Sequence, residues 1–382
     1  MFVLDTPASV ILFFILYGIT GAVPLLAAVY LLWRRANAIA PDITPPLRLR
    51  RWAASFFIVA ALAHVWWFLF LIYSNDLHSV GYVLAAEVDC VGMLTTIAGT
   101  LFAMLQDRRR PVWPIVVALV PYVGLGGLFL AYRDDTLLDV AIVYILVLYV
   151  LFTVYMAFAV RRYGRWLRDN YADLEHKEVW VSQVLLLAFM LLFLFYTLVD
   201  TNSFLIYLLH LIQLALFSLL LWRVETLPEL VETSIESDAF EPAPELFIMN
   251  PEPPLIPDLP YKARQRLAMY AVIEHLLEQR CVATQLYLQH DLTVLQLAQA
   301  LGTNRCYLSQ YFAHKGVTYN AYINELRIAH FMRLYREAVA FRRSFTAQQL
   351  ASESGYRSYS TFSLAFKQRT GQSVTAWMHT AE

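Results

Sequence analysis

Four ionisable side chains interrupt long apolar segments in the N-terminal half of the chain. They are His64, Glu87, Asp89 and His210. Imidazole and carboxylate groups are costly to bury in hydrocarbon, so in membrane-spanning helices they usually face the bundle interior and pair with one another. Three interpretations stay open: an outward-facing ligand pocket, a structural cluster of histidines and carboxylates, or a path for protons or ions. Because the residues are scattered over three segments, we predict no metal site and no cofactor.

The segments that carry these residues are long enough to cross a bilayer. The chain is 59% hydrophobic and 15% charged, with a mean hydropathy of +0.51, which is typical of a membrane protein. A helix needs about 20 apolar residues to cross the hydrocarbon. Seven runs meet this requirement, roughly 9–33, 52–73, 80–105, 112–132, 137–160, 179–199 and 203–222. The sequence therefore predicts a seven-helix transmembrane bundle over residues 1–223.

The connections between these runs differ sharply in basic residues. Those after the first, third and fifth runs contain 13 arginines and lysines, whereas the other connections and the N-terminus contain only Arg133. Cytoplasmic loops carry the excess of Lys and Arg in membrane proteins. The pattern predicts an N-terminus outside the cell and a C-terminal region in the cytoplasm.

The C-terminal region divides by charge into a linker and a basic tail. Residues 224–260 contain no basic residue, 9 acidic residues and 8 of the 16 prolines. This composition favours an extended, flexible linker over a packed domain. Residues 261–382 contain 14 basic and 7 acidic residues, which predicts an anionic partner, either nucleic acid or lipid headgroups.

The basic tail contains one short pattern twice, at about 291–316 and 345–378. Each copy begins with Thr-x-x-Gln, a capping box that starts a helix, and continues to a glycine suited to ending it. Asn304 and Ser358 then stand where N-caps of second helices are expected. Two helices joined by a glycine turn follow the helix-turn-helix plan. Residues 318–337 have helical periodicity and predict one long helix between the copies.

The tail resembles the AraC-type family of bacterial transcription regulators. The resemblance runs from about 291 to 378 and rests on LxxLAxxLG with YLSxxF, then YINELRI, then LAxESGYxSxSTFxxAFKxxTG. It implies an all-α DNA-binding domain with two helix-turn-helix units joined by a long helix, here within 261–382. It also implies double-stranded DNA as a partner.

The resemblance assigns candidate DNA contacts residue by residue. Candidates for base edges are Arg305, Cys306, Ser309 and Gln310 in the first unit and Tyr359, Ser360, Thr361 and Ser363 in the second. Candidates for phosphates are Asn304, Lys315, Arg357, Lys367 and Arg369. Arginine and glutamine discriminate bases by bidentate hydrogen bonds, whereas phosphate contacts position a protein without reading sequence.

Together these patterns predict a transcription regulator of the inner membrane that binds DNA, contacts lipid, forms a possible homodimer and senses an unknown small-molecule or membrane signal. One alternative is a membrane receptor whose basic tail binds a protein or anionic lipid. Another is an intramembrane enzyme or transporter with a regulatory tail. The sequence contains no HExxH, GxSxG, P-loop or paired-aspartate signature, so we expect that the protein is not an enzyme.

Overall fold

The computed structural model describes residues 7–73, 80–174, 177–181, 184, 187–189, 203–230 and 260–381. Over these residues the secondary structure is helical, and they form no β-strand. The predicted all-α class is therefore confirmed. The chain divides into two compact units. The first comprises Met1–Tyr163 and His176–Leu230, and the second comprises Gly164–Glu175 and Val231–Glu382.

The first unit is built from long apolar helices. They are α1 (Pro7–Trp33), α2 (Leu47–Tyr73), α3 (Val80–Met104), α4 (Trp113–Tyr132), α5 (Asp135–Asn170), which continues into the second unit, and α6 (Ser203–Thr226). Within the described ranges, six helices are long and apolar enough to cross a membrane. These correspond to predicted runs one to five and seven. The sixth run, 179–199, lies largely outside the described residues, so the count of seven stays a prediction.

Neighbouring helices of this unit approach closely where one of the two contacting residues is small. Helix α1 packs against α2 and α6, α2 also packs against α3, and α3 packs against α4. A Cβ atom on Gly99 of α3 would lie 2.2 Å from Cε3 of Trp52, so this contact requires glycine. The outward faces stay apolar, with Ile11, Leu26 and Val120 each at least 60% exposed. Exposed apolar faces of this kind suit contact with lipid.

Charged and polar residues pack together at the C-terminal end of α6. Glu225 is fully buried, and its carboxylate lies 3.0 Å from Nε of Arg34 and accepts a hydrogen bond from the Tyr30 hydroxyl at 3.2 Å. Asn37 Nδ2 donates to the Glu225 carbonyl at 2.9 Å. The helix therefore continues beyond 223, where the sequence predicted the linker to begin, because its last turn gains buried partners.

Besides the end of α5, the described part of the second unit contains seven α-helices. They are α7 (Tyr261–Leu277), α8 (Val294–Leu301), α9 (Arg305–His314), α10 (Tyr319–Ala340), α11 (Ala347–Glu353), α12 (Tyr359–Thr370) and α13 (Val374–Ala381). A π-helical turn, Glu278–Val282, and a 3-10 turn, Leu286–Leu288, connect α7 to α8. Two hydrophobic cores form, one around α8 and α9 and one around α11 and α12.

Replacing Arg34 by alanine tests the buried pair at the end of α6. We expect Arg34→Ala to lower the free energy of unfolding by about 3–5 kcal/mol, because the Glu225 carboxylate would stay buried without its cation. The exposed neighbour Arg35 offers the matched control, and Arg35→Ala should change little. Thermal unfolding of the full chain in detergent measures both variants. Equal midpoints would contradict a structural role for this pair.

Candidate functional site

The first helix-turn-helix unit is set by local hydrogen bonds at its helix ends. The Thr293 hydroxyl accepts from Gln296 N at 3.2 Å, and Gln296 Oε1 accepts from Thr293 N at 2.9 Å, which completes the predicted capping box. Gly302 ends α8 with φ of 71°, in the left-handed region that favours glycine. Asn304 Oδ1 then accepts from Tyr307 N at 2.9 Å and begins α9. The predicted helix, turn and helix are confirmed.

The second unit repeats this construction. Thr346 and Gln349 form the same capping box before α11, and the Ser358 hydroxyl caps α12 by accepting from Thr361 N. Gly355, between the helices, has φ of 88°, and a Cβ atom there would lie 2.7 Å from the Leu288 carbonyl oxygen. Glycine is therefore required both by the backbone conformation and by the close approach to the 3-10 turn.

Helix α10 joins the two units through one buried arginine. Arg327 is 1% exposed, and its Nε and Nη2 donate to the carbonyls of Tyr287 and Gln289, each at 2.7 Å. Its guanidinium also lies 5.5 Å from the centre of the Tyr356 ring in the second unit. Burial lowers the pKa of Arg327, and nearby tyrosines and carboxylates oppose that effect. One side chain thus fixes α10 against both units.

Helix α7 packs onto the first unit. Ile273, Leu276 and Leu277 lie in the same core as Leu297 of α8 and Leu308 of α9. On the surface, His314 stacks on the Tyr270 ring with centroids 4.6 Å apart. Helix α7 is therefore docked on the first helix-turn-helix unit.

The base-contact candidates of the first unit lie at the start and middle of α9. Cys306 and Gln310 are exposed, whereas Arg305 and Ser309 are half-buried. Gln310 Nε2 donates to Cys306 Sγ at 3.3 Å, so these two side chains share one face of the helix. Leu308 and Phe312 point into the core. The candidates therefore stand on the side of α9 that the core does not use.

The second unit offers a weaker set of donors. Ser360 is exposed, and Tyr359, Thr361 and Ser363 are half-buried. The Ser360 and Thr361 hydroxyls lie 3.0 and 2.9 Å from the Ser358 hydroxyl, so both also belong to the helix cap. Tyr359 packs its ring against Phe362, with centroids 5.8 Å apart. Leu364 is 60% exposed on the same helix and adds an apolar contact surface.

Three phosphate candidates form surface ion pairs. Lys315 pairs with Glu274 at 2.7 Å, Arg357 with Asp291 at 2.6 Å, and Arg369 with Glu325. Exposed ion pairs of this kind are weak in water, so a phosphate can displace the carboxylate at small cost. Lys367 is exposed on α12. The Asn304 side chain already accepts a backbone hydrogen bond as the N-cap of α9.

The structure separates the four polar candidates of the apolar helices into two groups. His64 and His210 both pack against the Tyr17 ring, with centroids 5.1 and 6.1 Å away, and His64 Nε2 lies 3.1 Å from the Thr20 hydroxyl. Asp89 instead accepts a hydrogen bond from Trp67 Nε1 at 3.2 Å.

Glu87 on α3 has a different neighbour. A Cβ atom on Gly126 of α4 would lie 1.5 Å from Glu87 Oε1, so the carboxylate fits only because position 126 is glycine. The two histidines therefore meet around α1, whereas both carboxylates stand on α3 with neighbours of their own.

Sequence reasoning missed Asn320 and the short segment Asn170–Asp173. Asn320 Nδ2 donates to the carbonyls of Ala172 at 2.6 Å and Tyr171 at 3.3 Å. No spacing or motif indicates these contacts, because they join backbone groups that are far apart in the chain.

Comparison with known protein families supports the reading of the tail. A helix-turn-helix domain model matches residues 297–380, less than a quarter of the chain. The match extends from α8 through both units into α13. The tail contains a helix-turn-helix domain of the DNA-binding type. No curated protein and no solved structure matches the chain.

Arg327→Met tests how the helix-turn-helix domain is held together. Methionine keeps most of the volume but donates no hydrogen bond. The Tyr287 and Gln289 carbonyls would then be buried without this donor, at a cost of about 1–3 kcal/mol each. We expect faster hydrogen exchange in both units of the full chain. Arg336→Met, at an exposed site on the same helix, is the control and should leave exchange unchanged. Equal exchange in the two variants would contradict this role.

Proposed function

We propose that the protein is a membrane-embedded regulator of transcription, in which the apolar helices receive a signal and the helix-turn-helix domain binds specific DNA sequences. The observation that carries the proposal is a helix-turn-helix domain on the same chain as helices that are apolar and long enough to cross a bilayer, six of them among the described residues. Each unit of the domain keeps a second helix with polar side chains outside its core. The protein acts by binding and not as an enzyme.

The proposed topology places seven spans in a bacterial inner membrane, with the N-terminus outside and the C-terminal domain in the cytoplasm. The distribution of basic residues between the runs supports this orientation. DNA binding requires the same side of the membrane, since the chromosome is cytoplasmic. Two chains in one membrane would also present two domains to adjacent DNA sites at high effective concentration, which favours a homodimer.

The proposed signal is a mostly apolar molecule with one polar group. A groove of about 640 Å³ lies between α1 and α2. Most of the side chains that line it are apolar, and His64 lines it as well. The His64 imidazole has protein partners, with Nδ1 2.8 Å from the Ala60 carbonyl and Nε2 3.1 Å from the Thr20 hydroxyl. A small ligand whose polar group replaces Thr20 as the partner of Nε2, and whose apolar part fills the groove, would change the packing of the two helices.

Direct base reading is tested by Arg305→Ala and Gln310→Ala in a genome-wide map of DNA bound by the full chain. Each bidentate base contact contributes about 1–3 kcal/mol, so we expect the affinity for the enriched sites to fall by about fivefold or more per residue. Gln279→Ala, an exposed glutamine in the π-helical turn, is the control and should preserve the map. Binding that resists both substitutions, or no enriched site for the unchanged chain, would refute sequence-specific binding.

The topology is tested with the thiol of Cys306, which is exposed, whereas Cys90 and Cys281 are buried. We expect a membrane-impermeant maleimide to leave Cys306 unlabelled in intact cells and to label it after permeabilisation. Arg133→Cys, in a connection predicted to lie outside, should be labelled without permeabilisation. Labelling of Cys306 on intact cells would place the domain on the wrong side of the membrane for DNA binding.

A further inference from the structure

The chain that follows the apolar part of α5 is folded into the DNA-binding unit. Residues Gly164–Glu175 cluster with the C-terminal region as one compact unit, and we call residues 164–174 the strap. Four consecutive strap residues, Asn170–Asp173, are each at most 6% exposed. Ala172 belongs to the same hydrophobic core as Leu292 and Leu297. The strap is therefore part of the core of the first helix-turn-helix unit.

The strap is held mainly through its backbone. Tyr171 and Thr293 form an antiparallel bridge, and Ala172 N donates to the Leu292 carbonyl at 3.1 Å. Asn320, the second residue of α10, donates from Nδ2 to both the Tyr171 and Ala172 carbonyls. These bonds attach the strap to the residues that begin α8 and α10, so it contacts the two helices that orient the first unit.

The strap also lies beside side chains of both helix-turn-helix units. Burial raises the pKa of Tyr171 to about 12, and the charge of Arg305 opposes this rise, so the guanidinium lies within electrostatic reach of the phenol. Burial likewise raises the pKa of Tyr356, and Asp173 adds to that effect. Arg305 is a base-contact candidate on α9, and Tyr356 precedes α12. The Asp173 carboxylate therefore lies within electrostatic reach of two buried groups that hold the domain together, Tyr356 and Arg327.

The strap continues a candidate membrane span without a break. Helix α5 has 36 residues and is roughly 54 Å long at 1.5 Å per residue, whereas the hydrocarbon of a bilayer is about 30 Å thick. Its last turns therefore extend beyond the hydrocarbon and lead directly into Tyr171. The apolar segment and the strap are therefore connected by one helix, with no loop between them.

We propose that the strap is an autoinhibitory element: when docked on Leu292, Thr293 and Asn320, it restrains the first helix-turn-helix unit and crowds Arg305, and its release raises the affinity for DNA. This inference rests on the proposed function, since it names the regulation of the same DNA-binding surface. The signal received by the apolar helices then acts by shifting α5 and undocking the strap.

The test measures DNA binding by the full chain in nanodiscs of phosphatidylcholine, with a fluorescent duplex of arbitrary sequence and about 40 base pairs at about 50 mM salt. Asn320→Ala removes both hydrogen bonds to the strap, and Ala172→Glu places a charge in the core. We expect each variant to bind the duplex about fivefold or more tightly than the unchanged chain. Arg168→Ala, at an exposed strap position, is the control with the same change in net charge as Ala172→Glu.

Two further measurements make the outcomes distinct. Adding Arg305→Ala to Asn320→Ala should reverse the gain, and the Ala172 amide should be protected from hydrogen exchange in the unchanged chain but not in Asn320→Ala. Unchanged or weaker binding by Asn320→Ala, or an unprotected Ala172 amide in the unchanged chain, would overturn the inhibitory role of the strap. The proposed function would still stand in that case if the genome-wide map shows enriched sites. No binding by any form, together with an empty map, would overturn the proposed function and the inhibition with it.

Discussion

The arrangement of the DNA-binding domain depends on the buried guanidinium of Arg327. A cation at 1% exposure is stable only when its donors are used, and here they bond the Tyr287 and Gln289 carbonyls. The Tyr356 ring covers the same group from the second unit. Because Arg327 stands on the helix between the units, this one site fixes the spacing of both second helices, and that spacing decides which DNA sites both can reach together.

The apolar helices follow a different packing rule. Lipid is as apolar as leucine, so helices in a bilayer gain little by burying large aliphatic side chains and gain more from close approach and polar contacts. Gly99 against Trp52, Gly126 against Glu87 and the Arg34–Glu225 pair fit this rule. Each of these contacts joins two elements through one specific pair of residues.

Two stretches of chain connect these two parts. Most of the acidic, proline-rich linker that the sequence predicts after α6, residues 231–259, lies outside the described residues. The strap continues a 36-residue helix and ends in hydrogen bonds to Leu292 and Asn320 and a β-bridge to Thr293. This direct attachment is the reason why the regulation that we propose runs through the strap and not through the predicted linker.

The sequence alone determined the parts of this protein that depend on neighbours in the chain. The capping boxes at Thr293 and Thr346, the turn at Gly302 and the apolar runs are local, since a cap joins residues three apart and a span needs only length and hydropathy. Tertiary structure alone decided that α6 extends to a buried Glu225, that His64 and His210 meet around Tyr17 away from α3, and that Ala172 enters the core of the first unit. These contacts join residues distant in the chain, several of them through backbone atoms that every residue shares, and therefore no pattern of side chains records them.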